Sequence, residues 1–74
     1  MNYKERITTD SQIMLGKPII KGTRITVELI LRKLSQGIAM EELLEGYPHL
    51  TKDDIFAALS YTADVISREE IIEA

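Results

Sequence analysis

Apolar positions recur at helical spacing in two stretches of the chain and at extended spacing in a third. Val27, Ile30, Leu31 and Leu34 fall at i, i+3, i+4 and i+7, the spacing of one helical face, and predict a helix over about 27–36. Thr26 offers a capping oxygen, and Glu28 lies where an acid complements the positive end of the helix dipole. Arg32 and Lys33 fall near the opposite end, and Gly37 stands where a left-handed residue closes a helix. A short second helix is predicted over Glu41–Glu45, led in by Ile38-Ala39-Met40 and stopped by Gly46 and Pro48. Ala39 has no side-chain oxygen for a cap, which predicts a ragged start. Thr51, with Asp54 three residues on, forms an aspartate version of the capping box and opens a long helix from 52 to about 66. Its buried face is expected to be Ile55, Ala58, Leu59, Thr62 and Ile66, widened by Phe56 and Ala63.

The first third reads differently. Residues 1–6 are polar and expected to fray, Ile7-Thr8-Thr9 suits a short strand, and Asp10-Ser11 suits a turn or cap. Gln12-Ile13-Met14-Leu15 predicts one helical turn ended by Gly16. Gly16 and Gly22 tolerate positive φ, Pro18 favours extended backbone, and Ile19-Ile20 is a strand too short to stand alone. The segment through Ile25 is therefore an extended arm or hairpin, packed on or exchanged with another element. The expected fold is mainly α: a three-to-four-helix bundle, helix-turn-helix-like, with a short extended arm or β-strands. Residues 1–74 form one domain, with an arm at 1–25, a helical core at 26–66 and an acidic tail at 67–74.

Length changes this picture in one respect. Seventy-four residues without cysteine bury a modest core and have no disulfide to reinforce it, so homodimerisation is the expected further source of burial. Met14, Leu15, Pro18, Ile19 and Ile20 are the candidate interface. No apolar run suits a signal peptide or membrane span, and a cytoplasmic location is expected.

The net charge of −3 argues against indiscriminate nucleic-acid binding, but its distribution is uneven. Residues 1–33 hold seven cations against three acids, whereas residues 34–74 hold two against nine. A basic half and an acidic half suggest two surfaces with different partners, or a dimer held by opposite charges; solvated faces would look the same.

No catalytic constellation is legible. His49 is the only histidine and lies in a turn, and adjacent Glu41-Glu42 diverge on a helix. Gly16-Lys17 lacks the glycine spacing of a phosphate loop, and Pro18 removes an amide that such a loop uses. Nothing calls for a cofactor, a metal or a small-molecule substrate. Binding is better supported. Lys17, Lys21, Arg24, Arg32, Lys33, Thr51 and Lys52 are candidates for DNA contact, chiefly to phosphates. Arg24 has an alternative use, an internal fork to a carboxylate such as Asp10 or to a helix-end carbonyl. Asp53 and Asp54 at the start of the long helix count against DNA, because they repel phosphate. The C-terminal Asp64, Val65, Ile66, Glu69, Glu70, Ile71, Ile72 and Glu73 combine apolar anchors with acids and are candidates for a protein partner, or for packing on a dimer mate.

The run Gly16-Lys17-Pro18-x-Ile20-Lys21-Gly22-Thr23-Arg24-Ile25, followed by a helix, Gly37 and Tyr47-Pro48-His49-Leu50-Thr51, resembles the bacterial family known as domain of unknown function 433. The resemblance runs from about Ile7 to about Ser67. It implies a helix-turn-helix-like antitoxin whose partner is a PIN-like ribonuclease toxin, and binding to its own operator DNA is the further expectation. Two positions depart from the family pattern: Thr26, where proline is common, and Ala39, where a serine or threonine cap is usual. The residues alone leave open a protein-interaction module that never touches DNA, and a stand-alone DNA-binding regulator.

Overall fold

The computed structural model describes residues 2–69. A 3-10 turn at Tyr3–Glu5 leads to strand β1 (Ile7–Thr8), a turn at Met14–Gly16 and strand β2 (Ile19–Ile20). Helices α1 (Val27–Ser35), α2 (Met40–Gly46) and α3 (Lys52–Glu69) follow. The described chain is therefore mainly helical, three helices with a two-stranded antiparallel sheet.

β2 is the middle of three extended segments. On one side Ile20 pairs with Ile7 and Ile19 with Thr8. On the other, the Ile20 amide donates to the Ile25 carbonyl at 2.9 Å and the Val27 amide to the Pro18 carbonyl at 3.0 Å. Successive strand residues point to opposite faces, yet Ile19 and Ile20 are only 1% and 2% exposed. Both faces are thus covered by the chain itself, which corrects the expectation that these two isoleucines await a dimer mate. The hairpin turns at Gly22, whose φ of +82° is open to glycine without a Cβ penalty.

The stretch before β2 is also not the expected helical turn. Met14 and Leu15 have φ of 51° and 59°, and Gly16 continues the left-handed path at 80°. Hydrogen bonds from the Gly16 amide to the Ile13 carbonyl (3.0 Å) and from the Lys17 amide to the Met14 carbonyl (3.1 Å) close this turn. Left-handed backbone costs an L-residue roughly 1–2 kcal/mol, so two consecutive examples must be held by their surroundings.

The helices start and stop as their end residues dictate. The Thr26 hydroxyl oxygen accepts from the Leu29 amide at 3.0 Å. At the far end of α1, amide bonds from Gly37 to Leu34 and from Ile38 to Lys33 form the paired closure that a left-handed glycine permits. Ala39 provides no acceptor, but the Glu42 carboxylate accepts its amide at 3.0 Å. That half of a capping box orders the start expected to be ragged. α3 runs three residues past the expected boundary at 66, so 67–69 belong to it.

The core gathers Ile7, Ile20, Val27, Ile30, Leu43, Leu50, Ile55, Ala57 and Ala58. Of the residues assigned above to the inner face of α3, Thr62 is half-buried and four others lie outside the core. Phe56, Leu59 and Ile66 are among the exposed large apolar residues, and Ala63 is exposed too. The arc of apolar positions on α3 is wider than so short a chain can cover, and only its inner half is buried.

Two long-range ties hold the segment from Tyr3 to Arg6, which was expected to fray. The Tyr3 hydroxyl donates to Asp64 at 2.8 Å, and its ring meets Tyr61 edge-on with centroids 5.5 Å apart. Arg6 reaches Asp54 at 3.1 Å and Asp53 at 3.6 Å. Asp54 is buried at 6% exposure and both its oxygens are engaged: Oδ1 accepts from Arg6, and Oδ2 from the Thr51 amide at 3.0 Å. The Asp54 amide in turn donates to the Thr51 hydroxyl oxygen at 3.1 Å, so the capping box is complete.

Removing either partner of this tie leaves an under-compensated group. Arg6→Ala and Asp54→Ala are each expected to lower the free energy of unfolding by about 2 kcal/mol, below the range for fully buried pairs because Arg6 is partly hydrated. The double variant should lose clearly less than the sum, measured by urea denaturation. Strict additivity would show that the two side chains are not coupled.

Candidate nucleic-acid interface

The cations singled out for DNA contact divide into two groups. Lys21 and Arg24 flank the hairpin turn and are exposed. The Lys21 amide donates to the Arg6 carbonyl at 2.8 Å, and the Arg6 side chain reaches the first turn of α3. Arg6 therefore links the strand leading into the hairpin turn to the start of α3, where Thr51 and Lys52 are also exposed. Among the described residues, no salt bridge engages Lys21, Arg24 or Lys52. The fork from Arg24 to Asp10 is not formed: the Asp10 carboxylate instead accepts the Gln12 amide at 2.8 Å within its own turn.

Asp53 and Asp54 repel an anion less than the sequence suggests. Asp54 is turned inward and used up by Arg6 and the cap, and Asp53 shares the same guanidinium. Exposed near these contacts are Lys21, Arg24 and Lys52, the edge of Arg6 and the carboxylate of Asp53. Arg6 is the linking residue that the sequence did not reveal; no local pattern connects it with a carboxylate 48 positions away.

The second group lies on α1. Glu28 takes Lys17 on one oxygen and Arg32 on the other, both at 2.9 Å. Pro18, Glu28, Leu31, Arg32 and Ser35 line an open groove of about 400 Å³ beside this trio. Lys17 and Arg32 are thus drawn into an internal network, whereas Lys33 stands apart, half-buried near the end of α1.

Of the candidate partner residues, Asp64 is occupied by Tyr3, Val65 is half-buried and Ile66 is exposed. Glu69 ends α3, and Glu70, Ile71, Ile72 and Glu73 lie outside the described residues. Of the proposed dimer residues other than Ile19 and Ile20, Leu15 stands 92% exposed and Met14 41%, while Pro18 is half-buried. No described helix is long and apolar enough to cross a membrane.

A family model described as protein of unknown function (DUF433) matches residues 7–62. The chain belongs to the DUF433 family. A crystal structure of a DUF433 member protein from Anabaena variabilis superposes with a TM-score of 0.77 at 33% identity, covering 89% of this chain and 68% of that one. An uncharacterized protein of Sinorhizobium fredii is 31% identical over 58 residues, spanning 78% of this chain and 26% of its own length. An uncharacterized protein of Archaeoglobus fulgidus is 57% identical over 28 residues, 38% of this chain and 78% of that protein. The DUF433 chain thus corresponds to about a quarter of the Sinorhizobium protein.

The hydrogen bond from Lys17, then that from Arg32, holds the Glu28 carboxyl below the usual carboxylate range. A carboxyl acidified by folding stabilises the folded state when ionised. Its contribution is complete at neutral pH and is lost as pH falls through the unfolded value towards the lower folded one. The difference in urea midpoint between the wild type and Glu28→Gln should therefore be present at pH 7 and close below the ordinary glutamate value of about 4.3. A difference independent of pH would show that the trio does not form in solution.

Proposed function

We propose that this DUF433 chain is a non-catalytic, antitoxin-like protein that binds operator DNA through its hairpin end and also holds a PIN-like ribonuclease toxin. The observation that supports the DNA half is that Arg6 joins the hairpin strand at Lys21 to the first turn of α3 and pairs with Asp54 there, while Lys21, Arg24 and Lys52 are exposed. Phosphate contact needs unpaired cations, and among the described residues Lys21, Arg24 and Lys52 are in no salt bridge. The nuclease half is supported by the family resemblance and by the excess of acids after residue 33, which complements a site built to attract RNA phosphates.

The second reading, a protein-interaction module without DNA contact, draws support from the exposed apolar side chains of α3. The two separate by salt dependence. Lys21→Ala and Arg24→Ala should each weaken operator binding, and each should reduce the slope of log affinity against log salt by about 1. Lys17→Ala should change the slope less, because Glu28 already holds that ammonium. Unchanged slopes for Lys21→Ala and Arg24→Ala would remove the hairpin end from the interface. For the nuclease half, the tagged chain is captured from its native lysate with and without nuclease digestion. A small ribonuclease retained in stoichiometric amount after digestion supports the pairing, and recovery of DNA alone favours a stand-alone regulator.

A further inference from the structure

A helix-turn-helix domain reads base edges with the outward side of the second helix of the motif. In this chain α3 follows α2 through a short turn and holds that position. Beyond its first turn, the outward side of α3 has little to read with. Base edges in the major groove are recognised chiefly by Arg, Lys, Asn and Gln, and none of these occurs from Ile55 to Ser67. Phe56, Leu59 and Ala63 are exposed there and apolar. Polar groups nearby are turned back on the protein. The Thr62 hydroxyl donates to the Ala58 carbonyl at 2.8 Å and the Ser67 hydroxyl to the Asp64 carbonyl at 3.0 Å, while the Asp64 carboxylate accepts from Tyr3.

The hairpin before α1 has the opposite character. From Ser11 to Val27 the chain holds no acidic residue and three cations, Lys17, Lys21 and Arg24. Its turn is pinned by one threonine. The Thr23 amide and hydroxyl both donate to the Ile20 carbonyl, at 3.0 and 2.7 Å, and the same hydroxyl oxygen accepts from the Ile25 amide at 2.9 Å. A side chain mounted on so fixed a backbone has less freedom to lose on binding. Arg24 is exposed, and among the described residues no salt bridge engages its guanidinium.

We propose that base sequence is read by this hairpin turn and not by α3, with the Arg24 guanidinium paired to the O6 and N7 of a guanine. The proposal rests on the DNA half of the function put forward above. The major groove of B-DNA admits a two-stranded ribbon as well as a helix, so an extended element can take the reading place. Arg24 presents two donors in a fixed fork that matches the guanine edge, whereas the ammonium of Lys21 is a compact charge. Lys21 is therefore left to the phosphates, which position a protein on the duplex without reading its sequence.

Duplexes of about 20 base pairs, two helical turns, with randomised centres are selected on the tagged full chain at fixed salt and sequenced. The wild type should enrich a core that contains guanine. Arg24→Lys keeps the charge, so its affinity for unselected DNA should stay within about twofold. Its preference for the enriched duplex over unselected DNA should fall about fivefold or more. Arg24→Gln should lose the same preference and also reduce the salt slope by about 1. Phe56→Ser and Ala63→Glu, on the outward side of α3, should enrich the same core as the wild type. Far-UV circular dichroism confirms that each variant is folded. Salt-dependent binding that enriches no sequence would overturn the proposal and leave DNA binding standing. So would an intact preference in Arg24→Lys, or a changed core in a folded Phe56→Ser or Ala63→Glu chain. No binding to any duplex would overturn both.

Discussion

The carboxylate of Asp54 is the point on which the rest of the molecule depends. A buried anion is tolerated only when its oxygens are satisfied and its charge is opposed. Here one oxygen closes the cap of α3 and the other takes Arg6. That pairing fixes the direction of α3 and draws the residue preceding β1 onto it. The Arg6 carbonyl then receives the Lys21 amide, so the hairpin is located by the same residue. A helix start, a sheet edge and a cationic turn are registered through one arginine.

The hairpin explains why the chain tolerates a strained segment before it. β2 is bonded on both sides, and the left-handed turn from Met14 to Gly16 delivers the chain into that slot. The cost of two L-residues in this conformation is of the order of a few kcal/mol, a large part of what a domain this size has to spare. The burial of Ile19 and Ile20 offsets it, because each isoleucine removed from water contributes roughly 1.5–3 kcal/mol. The strain leaves Leu15 exposed rather than packed, so the turn is shaped by its hydrogen bonds and by the strand it leads into, not by its own apolar side chains.

Local chemistry made the helices legible. Thr26, Gly37, Thr51 and Asp54 act within three or four positions of themselves, and their roles read directly from spacing. The glycine-rich segment was recognisable as extended, and its resemblance to the DUF433 family held over residues 7–62. What could not be read was anything set by residues far apart in sequence. Tyr3 and Asp64 are separated by 61 positions and Arg6 and Asp54 by 48, so a docked segment from Tyr3 to Arg6 looked like a frayed one. The same limit affected the candidate interface. Asp54 looked repulsive to phosphate because its cation lies before β1, and Lys17 looked free because Glu28 lies beyond the hairpin.

The long helix shows where periodicity itself misleads. Apolar residues at helical spacing identify α3 correctly, but they do not say how much of the apolar arc one chain can cover. Ile55, Ala57 and Ala58 exhaust the inner surface offered by α1, α2 and the sheet, and Phe56, Leu59, Ala63 and Ile66 remain outside it. A larger domain would add an element over that face. A chain of 74 residues has no further element among those described, and the absence of charge from Ile55 to Ala63 separates this stripe from the polar surface around it. The two ends of α3 therefore differ in character: the first turn is polar, capped and beside the cations, and the outer face beyond it is apolar and neutral.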